Sequence, residues 1–297
     1  MKKMFLAFFF CLFLVVCINP PHDNAFDPEN PDKANLAGTV YDGLHNNILL
    51  THGMVILAHM GGAPADTVTI DGSGGYGFDS IDPGIYEINA ASSHLMTETF
   101  TESLPADTNI DDLDLYASKA IFDLEDESLN TQEPRCFRVM NGTWTVVDDP
   151  VQDHVYQGIT PGTGLAIAMS DIMLGDFYCD SKIRVDTSSI GFFTGLLFRY
   201  RDSLNFYGAM FSVNTLHLIR VSGGTWTAID SMPHVFSPGT WYTLAVECTG
   251  DHIEVYLNYG SAPLINKHDN TIPGGKVGLF AEHLTTVRFD DIYMEKH

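Results

Sequence analysis

Apolar residues in this chain recur mostly at every second position, in short runs closed by Gly, Asp or Pro. That period marks half-buried β-strands, and the closing residues are turn formers. In the first third the pattern predicts strands at Leu36–Tyr41, Met54–His59 and Thr67–Ile70, then around Tyr76 and Phe78, and around Ile85, Tyr86 and Ile88. Turns fall at Asp42-Gly43, Gly61-Gly62, Asp71-Gly72-Ser73-Gly74-Gly75 and Asp82-Pro83-Gly84, and strict alternation from Ile110 to Leu115 predicts a closing strand. From Ala120 to His297 no helical period emerges. Strands are predicted at Phe177–Val185, Phe192–Arg201, Phe206–Val213, Leu216–Val221, Trp226–Ile229, Trp241–Cys248, Ile253–Leu257, Lys276–Ala281 and Thr286–Met294. Thr249-Gly250-Asp251 joins two of them as a hairpin. The fold class is all-β: a small β-sandwich over residues 36–117, then a jelly-roll β-sandwich over 118–297. Between Glu102 and Glu133 stand ten acids and one base, Lys119, which predicts a solvated acidic connector.

The N-terminus breaks this pattern. Lys2 and Lys3 precede thirteen uninterrupted apolar residues, Met4 to Val16. A spanning helix needs about 18 or more, so residues 1–17 are expected to be a signal peptide. Cys17 after Leu14-Val15-Val16 resembles a bacterial lipobox, although Val16 departs from the small residue that motif prefers. The resemblance implies acylation of Cys17 and a membrane contact made only through a lipid anchor. Residues 18–35 are polar, acidic and Pro-punctuated, as expected of a disordered tether. The expected location is the cell envelope or cell surface, or outside the cell if Cys17 is not acylated.

Two further resemblances cover the rest of the chain. Gly38-Thr39-Val40-Tyr41-Asp42, Gly53-Met54-Val55-Ile56-Leu57, Thr69-Ile70-Asp71-Gly72, Tyr76-Gly77-Phe78 and Asp82-Pro83-Gly84-Ile85-Tyr86 resemble the carboxypeptidase regulatory-like module. That likeness implies a transthyretin-like sandwich that acts as a spacer or docking platform. The second half resembles a concanavalin A-like (LamG-like) jelly roll. The likeness is carried by Phe122-Asp123-Leu124-Glu125-Asp126, Gly142-Thr143-Trp144-Thr145-Val146 and Gly195-Leu196-Leu197-Phe198-Arg199-Tyr200, then by Gly239-Thr240-Trp241-Tyr242, Gly274-Gly275-Lys276-Val277-Gly278-Leu279 and Arg288-Phe289-Asp290-Asp291-Ile292. It implies carbohydrate binding or adhesion, with some glycoside hydrolases in the same superfamily. It also implies a structural Ca2+ between first and last strands, for which Asp123, Glu125 and Asp291 are the matching acids.

Charge narrows the partners. Fifteen Lys and Arg face 38 Asp and Glu, a net charge of −23, which disfavours nucleic acid and anionic membrane surfaces. Glycosidase chemistry needs two carboxyls flanking a bond. The chain has no Glu-x-Asp-x-x-Glu strand, no Gly-x-Ser-x-Gly elbow and no His-Glu-x-x-His. Glu247 and Glu254, on adjoining strands, are expected to face solvent. Cys136, Cys179 and Cys248 show no zinc spacing and are expected to be small buried residues, and His45, His52 and His59 to be surface or turn residues. For sugar binding, Arg199, Asp202 and Asn205 form the densest polar cluster, and Trp226 is the least committed large aromatic. The expected function is binding of a glycan or polysaccharide, with a sugar-cleaving enzyme or an unliganded spacer as alternatives.

Overall fold

The computed structural model describes residues 33–60, 65–160, 162, 164–187, 192–283 and 285–297. The leader, Cys17 and the tether up to residue 32 lie outside the described residues. In the first part, the strands are β1 Ala34–Asp42, β2 Ile48–Leu49, β3 Met54–His59, β4 Asp66–Thr69, β5 Gly75–Ile81, β6 Gly84–Ser92, β7 Leu95–Thr97, β8 Phe100–Leu104, β9 Asn109–Ile110 and β10 Leu115–Phe122. The second part holds β11 Phe137–Asn141, β12 Thr143–Asp149, β13 Asp153–Ile159, β14 Leu165–Leu174, β15 Phe177–Thr187, β16 Phe193–Asp202, β17 Asn205–Phe211, β18 Thr215–Ser222, β19 Thr225–Pro233, β20 Trp241–Thr249, β21 His252–Leu257, β22 Ile265–His268, β23 Gly275–Glu282 and β24 Thr286–Lys296. The described chain is thus all-β, a small sandwich followed by a jelly roll.

The period-two runs become strands where one face is buried. β14, with sequence LAIAMSDIML, is buried on both faces over much of its length, so no alternation marks it. The predicted strand Ile110–Leu115 is replaced by two strands with a crossing between them. Gly38 of β1 is the reason: a Cβ there would lie 2.0 Å from the Leu113 carbonyl oxygen, so the chain passes directly over it. Leu113 N–H donates to Ala37 O at 3.1 Å during that passage.

The acidic connector is corrected more sharply. Leu115–Phe122 is β10, and the boundary between 117 and 118 falls inside it. Its first half pairs in parallel with β1, Val40 opposite Leu115. Its second half pairs antiparallel with β24, Phe122 opposite Ile292. A register shift against β7 between Ala117 and Lys119 lets the strand change partners. Leu115, Ala117, Ala120 and Phe122 are all buried, in one hydrophobic cluster that runs through both sandwiches. The acids of this stretch lie on either side of the strand, and Lys119 is paired with Glu295 at 3.0 Å.

In the second sandwich one sheet runs β12-β13-β24-β15-β20-β21-β22. One edge of β24 takes β13 at residues 286–289 and β10 at 292–295. The facing sheet has seven strands, β11-β14-β23-β16-β17-β18-β19. Aromatic rings extend the junction into the new core. Phe122 meets Phe137 at 5.4 Å, and Trp144 sits 4.9 Å from Tyr156 and 5.8 Å from Phe289.

Because the cores are continuous, the two sandwiches are expected to melt as one unit. Phe122→Ala should cost about 3–5 kcal/mol, and calorimetry should show a single transition that moves as a whole. Two transitions, with only one displaced, would refute the shared core.

Candidate functional site

The seven-stranded sheet has a second apolar face, on the side away from the main core. Ile167, Met169, Leu197, Tyr200, Phe206, Met210, Ile219, Val221 and Phe280 form a separate buried cluster there. Alternation supplies it: in β23, Val277, Leu279 and Ala281 join the main core while Phe280 joins the second cluster. Glycines make room for the long side chains, since a Cβ on Gly278 would meet Met169 Sδ at 2.3 Å.

Two cavities open on this face. One, of about 830 Å³, is lined by Arg138, Met140, Met169, Met173, Tyr200, Arg201 and Lys276 together with the Pro273–Gly275 loop. The other, of about 470 Å³, is lined by Phe193, His217, Ile219, Trp226, Glu282 and His283. An aromatic row connects them: Trp226 sits edge-on to Phe206 at 5.7 Å, and Phe206 stacks on Tyr200 at 5.7 Å. Trp226 is 52% exposed on the edge strand β19. Burial holds His217 below its usual pKa, so its ring is neutral at pH 7, with its nitrogens bonded to Ser212 and Ser231.

The larger cavity concentrates positive charge. Nine of the thirteen described Lys and Arg side chains form ion pairs. Arg184 and Arg288, for example, both reach the buried Asp149 carboxylate at 2.6 Å. Among the described residues, four basic side chains make no ion pair, and three of them, Arg138, Arg201 and Lys276, line this one cavity. Arg201 Nε donates to Gly274 O at 3.1 Å, which leaves its remaining N–H groups for a ligand. Among the described residues, no carboxylate lines the larger cavity. The smaller has one, Glu282, 3.3 Å from His283.

The polar residues singled out from sequence do not converge. Arg199 is corrected outright: its side chain is fully buried. Regular alternation would place it on the outer face, but it has a left-handed φ of 46° and the pairing of β16 with β17 and β23 slips register there. The bulge turns Arg199 inward and Tyr200 outward. Its guanidinium donates to Gly175 O at 3.1 Å and Gly250 O at 2.8 Å, and Asp176 lies 3.7 Å away. Asp202 and Asn205 close the β16–β17 turn: Asp202 accepts Leu204 N–H at 2.8 Å and Asn205 Nδ2 at 2.9 Å, while Asn205 accepts Gly223 N–H. Of the four, Trp226 alone lines either of these two cavities.

The Ca2+ set fares differently from its sequence pattern. Asp123 and Glu125 are exposed, and Asp291 pairs with Lys182 at 2.5 Å. Among the described residues, donor atoms of these three acids do not all lie within 4.8 Å of one another. Glu247 and Glu254 face each other across the β20–β21 ladder, and Glu254 accepts from Tyr256 and Asn266.

Sequence reasoning missed Arg138, Met140, Met173, Arg201 and Lys276. The available signal was scarcity: few basic residues exist in this chain. Which of them lack an acid nearby is a property of the fold.

No protein-family model matches this chain, and no match is found among curated proteins. Solved structures are similar over part of this chain. A carbohydrate binding module, CBM66, from Bacillus subtilis shares 24% identity, with 54% of this chain and 95% of that one covered, at a TM-score of 0.46. A protein of galectin-like fold from Bacillus subtilis shares 11%, covering 57% and 94%, at 0.44. A glycosyl hydrolase-like protein from Parabacteroides distasonis shares 13%, covering 60% and 93%, at 0.41.

Arg199 acts as a structural tie, so Arg199→Met is expected to cost about 1–3 kcal/mol for carbonyls left unbonded. The urea midpoint should fall while binding at the outer face, once folding is restored by lower denaturant, is unchanged.

Proposed function

We propose that the second sandwich binds an acidic polysaccharide along the outer face of its seven-stranded sheet. The observation that carries this reading is the collection of unpaired Arg138, Arg201 and Lys276 in one cavity of a chain with net charge −23. Unpaired cations in a partly apolar groove favour carboxylate or sulfate groups, and Arg binds them in bidentate fashion. Trp226, exposed at one end of the row, supplies flat apolar surface for a sugar ring, and the buried Phe206 and Tyr200 support it from behind. Two cavities joined by such a row suit an extended chain better than a single small molecule.

The test is retention on polygalacturonate or alginate compared with an uncharged galactan, by affinity electrophoresis and calorimetry. The acidic polymers should bind and the neutral one should bind weakly. Trp226→Ala should weaken binding about 2–10-fold, and Arg201→Gln with Lys276→Gln about 10–100-fold. Retention on none of these polymers would leave the spacer reading in place.

The proposal includes export and anchoring through Cys17, which rests on the thirteen-residue apolar segment and the Pro-rich acidic tract behind the cysteine. In cells, the protein should take up radiolabelled palmitate and fractionate with membranes, and Cys17→Ser should release it. Unlabelled soluble protein from the unaltered chain would exclude the anchor.

A further inference from the structure

The junction between the sandwiches holds a cluster that neither the groove nor the core uses. β10 brings the turn after β1 and the β6–β7 turn against the start of β11 and the end of β14. At that point His45 and His94 from the first sandwich meet Cys136 and Asp171 from the second. One donor atom each from His45, Cys136 and Asp171 lies within 4.8 Å of the others. His94 Nε2 lies outside that group but 2.9 Å from Cys136 Sγ.

The local chain is built to hold these positions. Asp42 Oδ1 accepts the backbone N–H of Leu44 and of His45, both at 3.0 Å, which fixes the turn. Asp42 Oδ2 lies 2.6 Å from His45 Nδ1. Nδ1–H is given to that carboxylate and Nε2–H to Asp171 Oδ1 at 3.1 Å, so His45 Nε2 becomes a lone-pair donor to the cluster when that second proton leaves. A carboxylate behind an imidazole in this way orients a metal-ligating histidine and raises its basicity. Cys136 has a left-handed φ of 61°, and its carbonyl accepts Asp171 N–H at 2.9 Å, so the thiol and the carboxylate are locked to one another. His94 is held by stacking on Phe122 at 4.9 Å. A cavity of about 260 Å³ lined by His45, Asn46, Asn47, Asp171 and Lys296 gives access from solvent.

We propose that His45 Nε2, Cys136 Sγ and Asp171 form a binding site for a divalent transition ion of the zinc class, with His94 as the fourth donor and Asp42 as the positioning residue behind His45. A thiolate with imidazoles and one carboxylate suits a borderline-soft ion in four-coordination, while Ca2+ and Mg2+ require mostly oxygen. The ligands come from both sandwiches, so the bound ion is a clamp across their junction. Binding displaces the thiol proton and the His45 Nε2 proton to solvent and leaves the redox state of the sulfur unchanged.

The experiment uses the full chain, stripped with chelator and titrated with Zn2+ by calorimetry, then with Co2+ followed by absorption. One ion per chain should bind, and the Co2+ form should show tetrahedral visible bands and a sulfur-to-cobalt charge-transfer band in the near ultraviolet. Zn2+ should raise the melting temperature and slow alkylation of Cys136. Cys136→Ser should abolish the charge-transfer band and the melting shift. Asp42→Asn should weaken Zn2+ about 10–100-fold with stoichiometry unchanged, and His268→Ala at an exposed position should change nothing. The site is overturned if the unaltered chain gives no thiolate–cobalt band, if Cys136→Ser retains it, or if Cys136 alkylates equally fast with and without zinc. Because these readouts involve no polysaccharide, they stand or fall independently of the groove.

Discussion

Leu115–Phe122 pairs with β1 through its first residues and with β24 through its last. A strand shared in this way leaves no hinge. Its backbone hydrogen bonds belong to both sandwiches, and its buried side chains belong to one continuous core. The edge of β24 that receives β10 also receives β13, so the first sandwich is joined to the sheet opposite the groove-bearing one. That leaves the outer face of the seven-stranded sheet free to meet a ligand.

The same junction explains why His45 and Cys136 meet although they are 91 positions apart in sequence. Neither belongs to a recognisable metal motif, because the donors come from turns and a strand of two sandwiches rather than from one loop. Cys179 and Cys248 behave as expected, buried within the second core, whereas Cys136 is half-buried beside two imidazoles. The three residues are chemically alike in the sequence, and only their surroundings separate them.

Electrostatics follows a related logic. A net charge of −23 describes the chain seen from beyond a Debye length, about 8 Å at physiological salt. Within that distance what matters is which charges are cancelled. Pairing of most cations with acids, as at Asp149, leaves a residue of positive charge at Arg138, Arg201 and Lys276. Total charge argued against anionic partners such as nucleic acid; the local distribution argues for an acidic one.

The sequence by itself determined the all-β class, five of the ten strands of the first sandwich, nine of the fourteen of the second and the turns at Asp71 and Gly250, because a period of two and turn chemistry are local properties. Asp71 shows this directly, accepting Ser73 and Gly75 N–H groups as an isolated turn would. Trp226, preceded by Gly223 and Gly224, stands half exposed on the edge strand β19. Three matters were decided only by the tertiary structure. The bulge at Arg199 reversed inside and outside over two residues, since register depends on the neighbouring strands. β10 replaced a connector, since its acidic flanks masked a strand whose partners lie in distant segments. The groove and the junction cluster came from residues far apart in the chain, and no local pattern records which side chains a folded sheet will bring together or leave unpaired.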